Sequence, residues 1–172
     1  MTEGAKYVWA VLAIAVLTHF AIIHAAPRMM MGVAMERIGA AGSNIWQVAE
    51  RVTPSSRAIV RPSPDFAYSA CVYDLSRGPM TIRVAPWMDY WSLSLYAANS
   101  DNYFVLDDRE ARSGADIVLT RNRDATAESA ERVVVSPSTR GIALIRRLAP
   151  TPDTYDRASI VARGDVCAPA SS

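Results

Sequence analysis

The chain has 172 residues, with 18 Lys and Arg against 17 Asp and Glu. Charges that nearly cancel offer no basic face, which argues against a nucleic-acid partner. An anchor and stalk over residues 1–42 leave about 130 residues, enough for one domain with a real core and too few for two.

Tyr7 to Ala26 contains no Asp, Glu, Lys or Arg over 20 residues. As a helix it spans about 30 Å, the thickness of a bilayer core. Tyr7 and Trp9 stand at one end, where aromatic rings favour the headgroup level. Ala25-Ala26 resembles the end of a cleaved signal peptide. Pro27 would then follow the cut, and His24 would occupy a position that requires a small residue, so the segment is expected to be retained. Basic residues flank it on both sides (Lys6 before it, Arg28 and Arg37 after it), so the positive-inside rule leaves the orientation open. A six-residue tail before the span is usual for a signal anchor. That favours a single pass through the inner membrane, with residues 43–172 forming a periplasmic β-rich domain.

Pro27 suits the first turn of a helix or a kink in a continuing one. Arg28–Ala41 then continues as a stalk with Met31, Val33, Met35 and Ile38 apolar, a Met-rich surface that adapts to irregular partners. His19 lies inside the span. An ionisable group at that depth is a candidate contact for a membrane partner or a tetrapyrrole pigment, set against a neutral ring bonded to a neighbouring helix or a local carbonyl. No other cofactor is implied.

Ser43–Arg51 predicts a short helix, with Ser43 or Asn44 as its cap and Ile45, Val48 and Ala49 on one face. After Thr53-Pro54-Ser55-Ser56 the apolar period changes to two. Strands are predicted at Ala58–Arg61, Ala67–Tyr73, Met80–Ala85, Tyr90–Ala97, Tyr103–Leu106, Asp116–Thr120, Arg132–Val135 and Ile142–Arg146, separated by turn-forming Ser, Gly, Pro, Asn and Asp. Met80, Ile82 and Val84 share one face. So do Trp91, Leu93 and Leu95, with Tyr90, Ser92, Ser94 and Tyr96 opposite. A helix is predicted over Thr154–Arg163, with Asp153 as cap and Gly164 as stop, followed by a frayed tail from Ala168. The fold class is mainly β: an antiparallel sandwich or jelly-roll-like domain, with an N-terminal transmembrane helix and a short C-terminal helix.

Both histidines precede residue 43, so the domain lacks Ser–His and Cys–His catalysis and any histidine metal site. It also lacks the glycine-rich phosphate loops and the nucleophile elbow. No catalytic residue and no metal ligand is assigned. Arg61, Asp65, Tyr68 and Ser69 form the densest polar constellation, stiffened by Pro62 and Pro64. They could bind a small polar ligand, or support carboxylate-based acid–base chemistry. The plain alternative is an Arg–Asp pair pinning a loop, with Tyr68 packed beneath. Asp101, Asp107 and Asp108 lack the spacing of a calcium loop and read as solvated turns. Cys71 and Cys167 are a disulfide candidate in an oxidising compartment, closing a loop of about 96 residues. The alternative is two separate thiols.

The order Arg61-x-Ser63-Pro64-Asp65-x-x-Tyr68-Ser69, then Tyr73-Asp74-Leu75-Ser76-x-Gly78-Pro79, then Tyr90-Trp91-Ser92-Leu93-x-Leu95-Tyr96 resembles the bacterial domain-of-unknown-function family numbered 1254. The usual Asn is Ser63 here, and the usual Thr-Leu is Phe66-Ala67, which removes a polar side chain from the motif. Longer members of that family continue into a second domain, numbered 1214. The resemblance therefore implies a short, membrane-anchored member, with a companion 1214-type membrane protein as partner. It implies no reaction. The expected function is that of a non-enzymatic accessory subunit of an inner-membrane protein complex. The alternative is a small-ligand-binding or hydrolase-like domain using Arg61, Asp65 and Tyr68.

Overall fold

A computed structural model describes residues 3–53, 56, 62–122 and 132–170. The first helix, α1 (Glu3–Ile38), has 36 residues, about 54 Å at the usual rise. It is long and apolar enough to cross a membrane, with about 24 Å to spare. Pro27 lies inside it and does not end it. Pro27 cannot donate a hydrogen bond to the preceding turn. Beside it, the Arg28 guanidinium donates to the His24 carbonyl (2.6 Å) and a His24 ring nitrogen meets the Phe20 carbonyl (2.9 Å).

The domain is a sandwich of two sheets. The five-stranded sheet has the order β1 (Gln47–Val48), β2 (Phe66–Asp74), β8 (Arg140–Leu148), β4 (Trp91–Ala97), β5 (Asn102–Asp107). The four-stranded sheet has the order β7 (Arg132–Val135), β6 (Ala115–Thr120), β3 (Met80–Val84), β9 (Val166–Pro169). Their inner faces meet as Trp91, Leu93, Leu95 and Ile145 against Met80, Ile82, Val84, Ile117 and Leu119, all essentially without solvent access. The two-residue alternation of Met80-x-Ile82-x-Val84 produces that burial directly. Arg83, on the outer side of the same strand, pairs instead with Asp116 at 2.7 Å.

Two covalent or ionic ties cross the core. Cys71 of β2 and Cys167 of β9 form a disulfide. Arg147 of β8 reaches Asp165 just before β9, with Nη1 donating to Oδ2 at 2.8 Å and Nη2 to Oδ1 at 2.7 Å. Both side chains are almost wholly buried. The Ala85 amide also donates to Asp165 Oδ1, and Arg147 Nη2 donates to the Ala85 carbonyl. These bonds engage both terminal nitrogens of Arg147 and both carboxylate oxygens of Asp165, which offsets much of the cost of burying the pair; Arg147 Nε stays buried and unpartnered among the described residues.

Several expectations are corrected. Ser43–Arg51 is not a helix: Asn44 takes a left-handed conformation (φ 63°), its side chain brackets the Asp74 backbone, and Gln47–Val48 pair with Ala70 and Ser69 as β1. The second helix, α2 (Pro152–Ala162), is capped by Thr151 rather than Asp153. The Thr151 hydroxyl accepts from the Thr154 amide, and the Thr154 hydroxyl accepts from the Thr151 amide. The last residue of α2 is Ala162, with Arg163 as C-cap, and Gly164 follows as the expected stop. Ala168 and Pro169, expected in a frayed tail, belong to β9, held along β3. The sandwich is not purely antiparallel, because β6 and β7 run parallel. The predicted strand at Ala58–Arg61 lies outside the described residues.

Candidate functional site

The constellation of Arg61, Asp65, Tyr68 and Ser69 does not converge. Arg61 lies outside the described residues. Asp65 sits in the turn before β2, exposed, with its amide donating to Ser63 Oγ (3.3 Å) and its carbonyl accepting from the Ala149 amide. Tyr68 and Ser69 are neighbours on one strand, so their side chains leave opposite faces of the sheet. Ser69 is buried on the inner face. Tyr68 lies on the outer face, and its hydroxyl accepts from the Ser63 amide at 2.9 Å.

The outer face of the five-stranded sheet instead gathers two groups. At the end of the sheet where β2 finishes, Val72 and Ile142 pack against Met31 and Ala34 of α1, with Met35, Ile38, Ala70 and Tyr96 around them. Positions 31, 34, 35 and 38 fall on one stripe of a helix. The C-terminal end of α1 is thus seated on the domain rather than loosely tethered to it.

The second group stands four residues further along each strand. Tyr68, Arg146, Ser92 and Asp107 face one another across β2, β8, β4 and β5 in one transverse row. Ser94 follows Ser92 on the same face. Ser92 and Ser94 are 1% and 0% exposed, and their hydroxyls have no hydrogen-bond partner among the described residues. Arg146 is half-buried, and its Nε is likewise buried and unpartnered. Beyond the row, Phe66 stacks edge-on against Tyr90 (5.9 Å) and leans towards Tyr68 (6.3 Å). Reading the sequence alone misses Arg146, Ser92 and Ser94 as site residues. The signal was the pair of serines alternating with Trp91, Leu93 and Leu95.

On the inner side, Tyr73 lies against Gly141, where a Cβ would collide with its hydroxyl and with the Tyr96 carbonyl. The Tyr73 hydroxyl donates to that carbonyl (3.0 Å), meets Ser136 Oγ (3.1 Å) and accepts from the Tyr103 hydroxyl (3.1 Å). Burial, with Tyr73 beside it, pushes the Tyr103 phenol well above its ordinary range. The two hydroxyls, bonded to each other, close one end of the core.

An open cleft of about 550 Å³ lies between α2 and the loop after β3, lined by Trp87, Met88, Arg112, Arg157, Ile160 and Val161. The Trp87 indole nitrogen donates to the Leu148 carbonyl, at the end of β8 opposite Ile142. Six residues separate these ends, about 20 Å of strand. His19 projects from the apolar span, its ring edge-on to Phe20. Among the described residues, no three His, Cys, Asp or Glu side chains group as a metal site.

These features define a two-sheet β sandwich carried on a long apolar helix. Residues 43–169 match DUF1254, described as "Protein of unknown function", and the chain belongs to that family. The crystal structure of the VPA0106 protein from Vibrio parahaemolyticus has the same fold, with a TM-score of 0.65 at 15% identity over 85% of this chain. A putative uncharacterized protein from Burkholderia cenocepacia aligns over 66% of the chain, at 17% identity and a TM-score of 0.46. The chain spans 36% of the Vibrio protein and 34% of the Burkholderia protein. No curated protein matches it.

Proposed function

We propose that the protein is a non-enzymatic, membrane-anchored accessory subunit of an inner-membrane protein complex, with its β domain on the periplasmic side. The observation that carries this reading is the seating of Met31, Ala34, Met35 and Ile38 on Val72 and Ile142. An unbroken helix leads from the apolar span to that contact, so the domain has a set orientation on its anchor. A flexible tether would serve to keep an enzyme near a membrane, whereas a set orientation serves a subunit that must present one surface to a neighbour. The Cys71–Cys167 disulfide supports an oxidising compartment. The apolar cleft beside Trp87 and Ile160 supplies an uncovered surface, and a companion 1214-type membrane protein is the partner that the family resemblance supports. A hydrolase-like use of Arg61, Asp65 and Tyr68 has less support, because the Tyr68 phenol already bonds the Ser63 amide and Ser69 faces the core.

Gentle detergent extraction of a tagged chain, followed by sizing and identification of co-purifying proteins, tests the proposal. A stoichiometric integral-membrane companion is expected. A lone monomer would sink it.

A further inference from the structure

We propose that the outer face of the five-stranded sheet carries a binding site for a small organic monocarboxylate, held by Arg146, Ser92 and Ser94. Unmet hydrogen-bonding capacity gathers at these three residues. A guanidinium stays charged at any physiological pH and carries five N–H donors. Among the described residues, Arg146 finds no side-chain hydrogen bond or ion pair, although its Nε is fully buried. Ser92 lies directly opposite Arg146 on the adjacent strand, and Ser94 is next on the same face. Their hydroxyls are buried and unbonded as well. A buried polar group left unmatched destabilises a fold, and the more so where it is charged. The three converge on one patch of a regular sheet, where alanine or valine would have packed without that penalty.

The chemistry of the surroundings narrows the ligand. A guanidinium flanked by two hydroxyls presents donors to a planar, two-oxygen acceptor, which is a carboxylate. Phe66 and Tyr90 stand one row away and offer an apolar wall to the ligand's body. Asp107 faces Ser92 from the other side, with its carboxylate accepting from the Arg109 amide (2.9 Å). Asp108 follows in the turn, with one buried, unpartnered oxygen. Asp107 beside Ser92 disfavours a second negative charge on the ligand, so the site selects a monoanion. Because Arg146 is only half-buried, approach from solvent is open on its side.

The test uses the full oxidised chain in detergent micelles, with sodium benzoate as the probe and benzyl alcohol as its uncharged counterpart. Benzoate is expected to raise the unfolding temperature in a concentration-dependent way, while benzyl alcohol and matched sodium chloride do not. Arg146→Gln should weaken benzoate binding at least about tenfold. Ser92→Ala and Ser94→Ala carry the test even if Arg146→Gln fails to fold. Each should weaken binding while leaving the ligand-free protein as stable as before, or more stable, because an unmatched hydroxyl has been removed. Two results overturn the proposal: no benzoate-dependent shift in the native chain, or a ligand-free destabilisation by Ser92→Ala that shows its hydroxyl to be bonded within the fold.

Discussion

The two faces of the five-stranded sheet are built from the same strands by opposite means. The inner face is apolar and is closed by ties that span the sandwich: the Cys71–Cys167 disulfide, the Arg147–Asp165 pair, and the Tyr73 hydroxyl bonded to Tyr96 and Ser136. Both terminal nitrogens of Arg147 have an acceptor. Arg146, the next residue on the same strand, has a buried Nε with no acceptor among the described residues. Arg147 Nε is buried and unpartnered as well, so the two arginines differ at their terminal nitrogens, which the fold bonds on Arg147 and, among the described residues, not on Arg146. A strand can place two identical side chains in unlike surroundings because they leave opposite faces. The inner side therefore holds the ties between the two sheets, while the outer side seats α1 and keeps the hydroxyls of Ser92 and Ser94 buried and unpartnered among the described residues.

That division can be broken, beginning with its strongest tie. Replacing both Cys71 and Cys167 with Ala opens a loop of 96 residues. On the chain-entropy account this costs about 4–5 kcal/mol, measurable as a lowered midpoint in denaturant. Arg147→Met removes one partner of the buried pair and strands Asp165, for an expected loss of about 3–5 kcal/mol. The double substitution Arg147→Met with Asp165→Leu should recover much of that loss, and a failure to recover would mean that the hydrogen bonds to Ala85 dominate.

The outer face should respond differently. Ala34→Glu forces a carboxylate into the seat of α1, where Ala34 is 7% exposed. The helix should lift while the sandwich stays folded. Protease cleavage between residues 27 and 42 should quicken by at least about tenfold, as local opening becomes easier by about 1–3 kcal/mol, with the domain's unfolding midpoint nearly unchanged. Equal losses at both readouts would show that α1 is part of the core.

The smallest effect concerns pH. The folded Tyr103 phenol resists ionisation, whereas in the unfolded chain it ionises near its ordinary value of about 10. Above that pH the unfolded state holds fewer protons than the native state, so stability falls as pH rises and is fully present below it. Tyr103→Phe should flatten this alkaline limb in urea titrations between about pH 9 and 11.

Much of this architecture was legible in the sequence, and the failures are instructive. Strands with strict alternation, such as Met80–Val84 and Trp91–Ala97, were readable because one buried face writes a period of two. Residues 43–51 misled because Ile45, Val48 and Ala49 share helical spacing, while the deciding interaction is with Asp74, 30 positions from Asn44. β9 was invisible for the same reason: Val166–Pro169 has no pattern of its own and becomes a strand only along β3. For the candidate site, Tyr68 was found through its motif. Ser92 and Ser94 read as the face opposite Trp91, Leu93 and Leu95, and Arg146 as the end of a strand. Only pairing across three strands puts Tyr68, Arg146 and Ser92 in one row, with Ser94 beside it.

The bond between β2 and β9 also has a consequence for how the protein is made. Cys71 must wait until 96 further residues have been synthesised before its partner exists. At about 5–20 residues per second that interval is roughly 5–20 s. Throughout it Cys71, which has no solvent access in the folded domain, carries a free thiol, and there is no β9 to close the opposite sheet. With two cysteines in the chain, an oxidant that acts before Cys167 is made can join Cys71 to the thiol of another molecule alone.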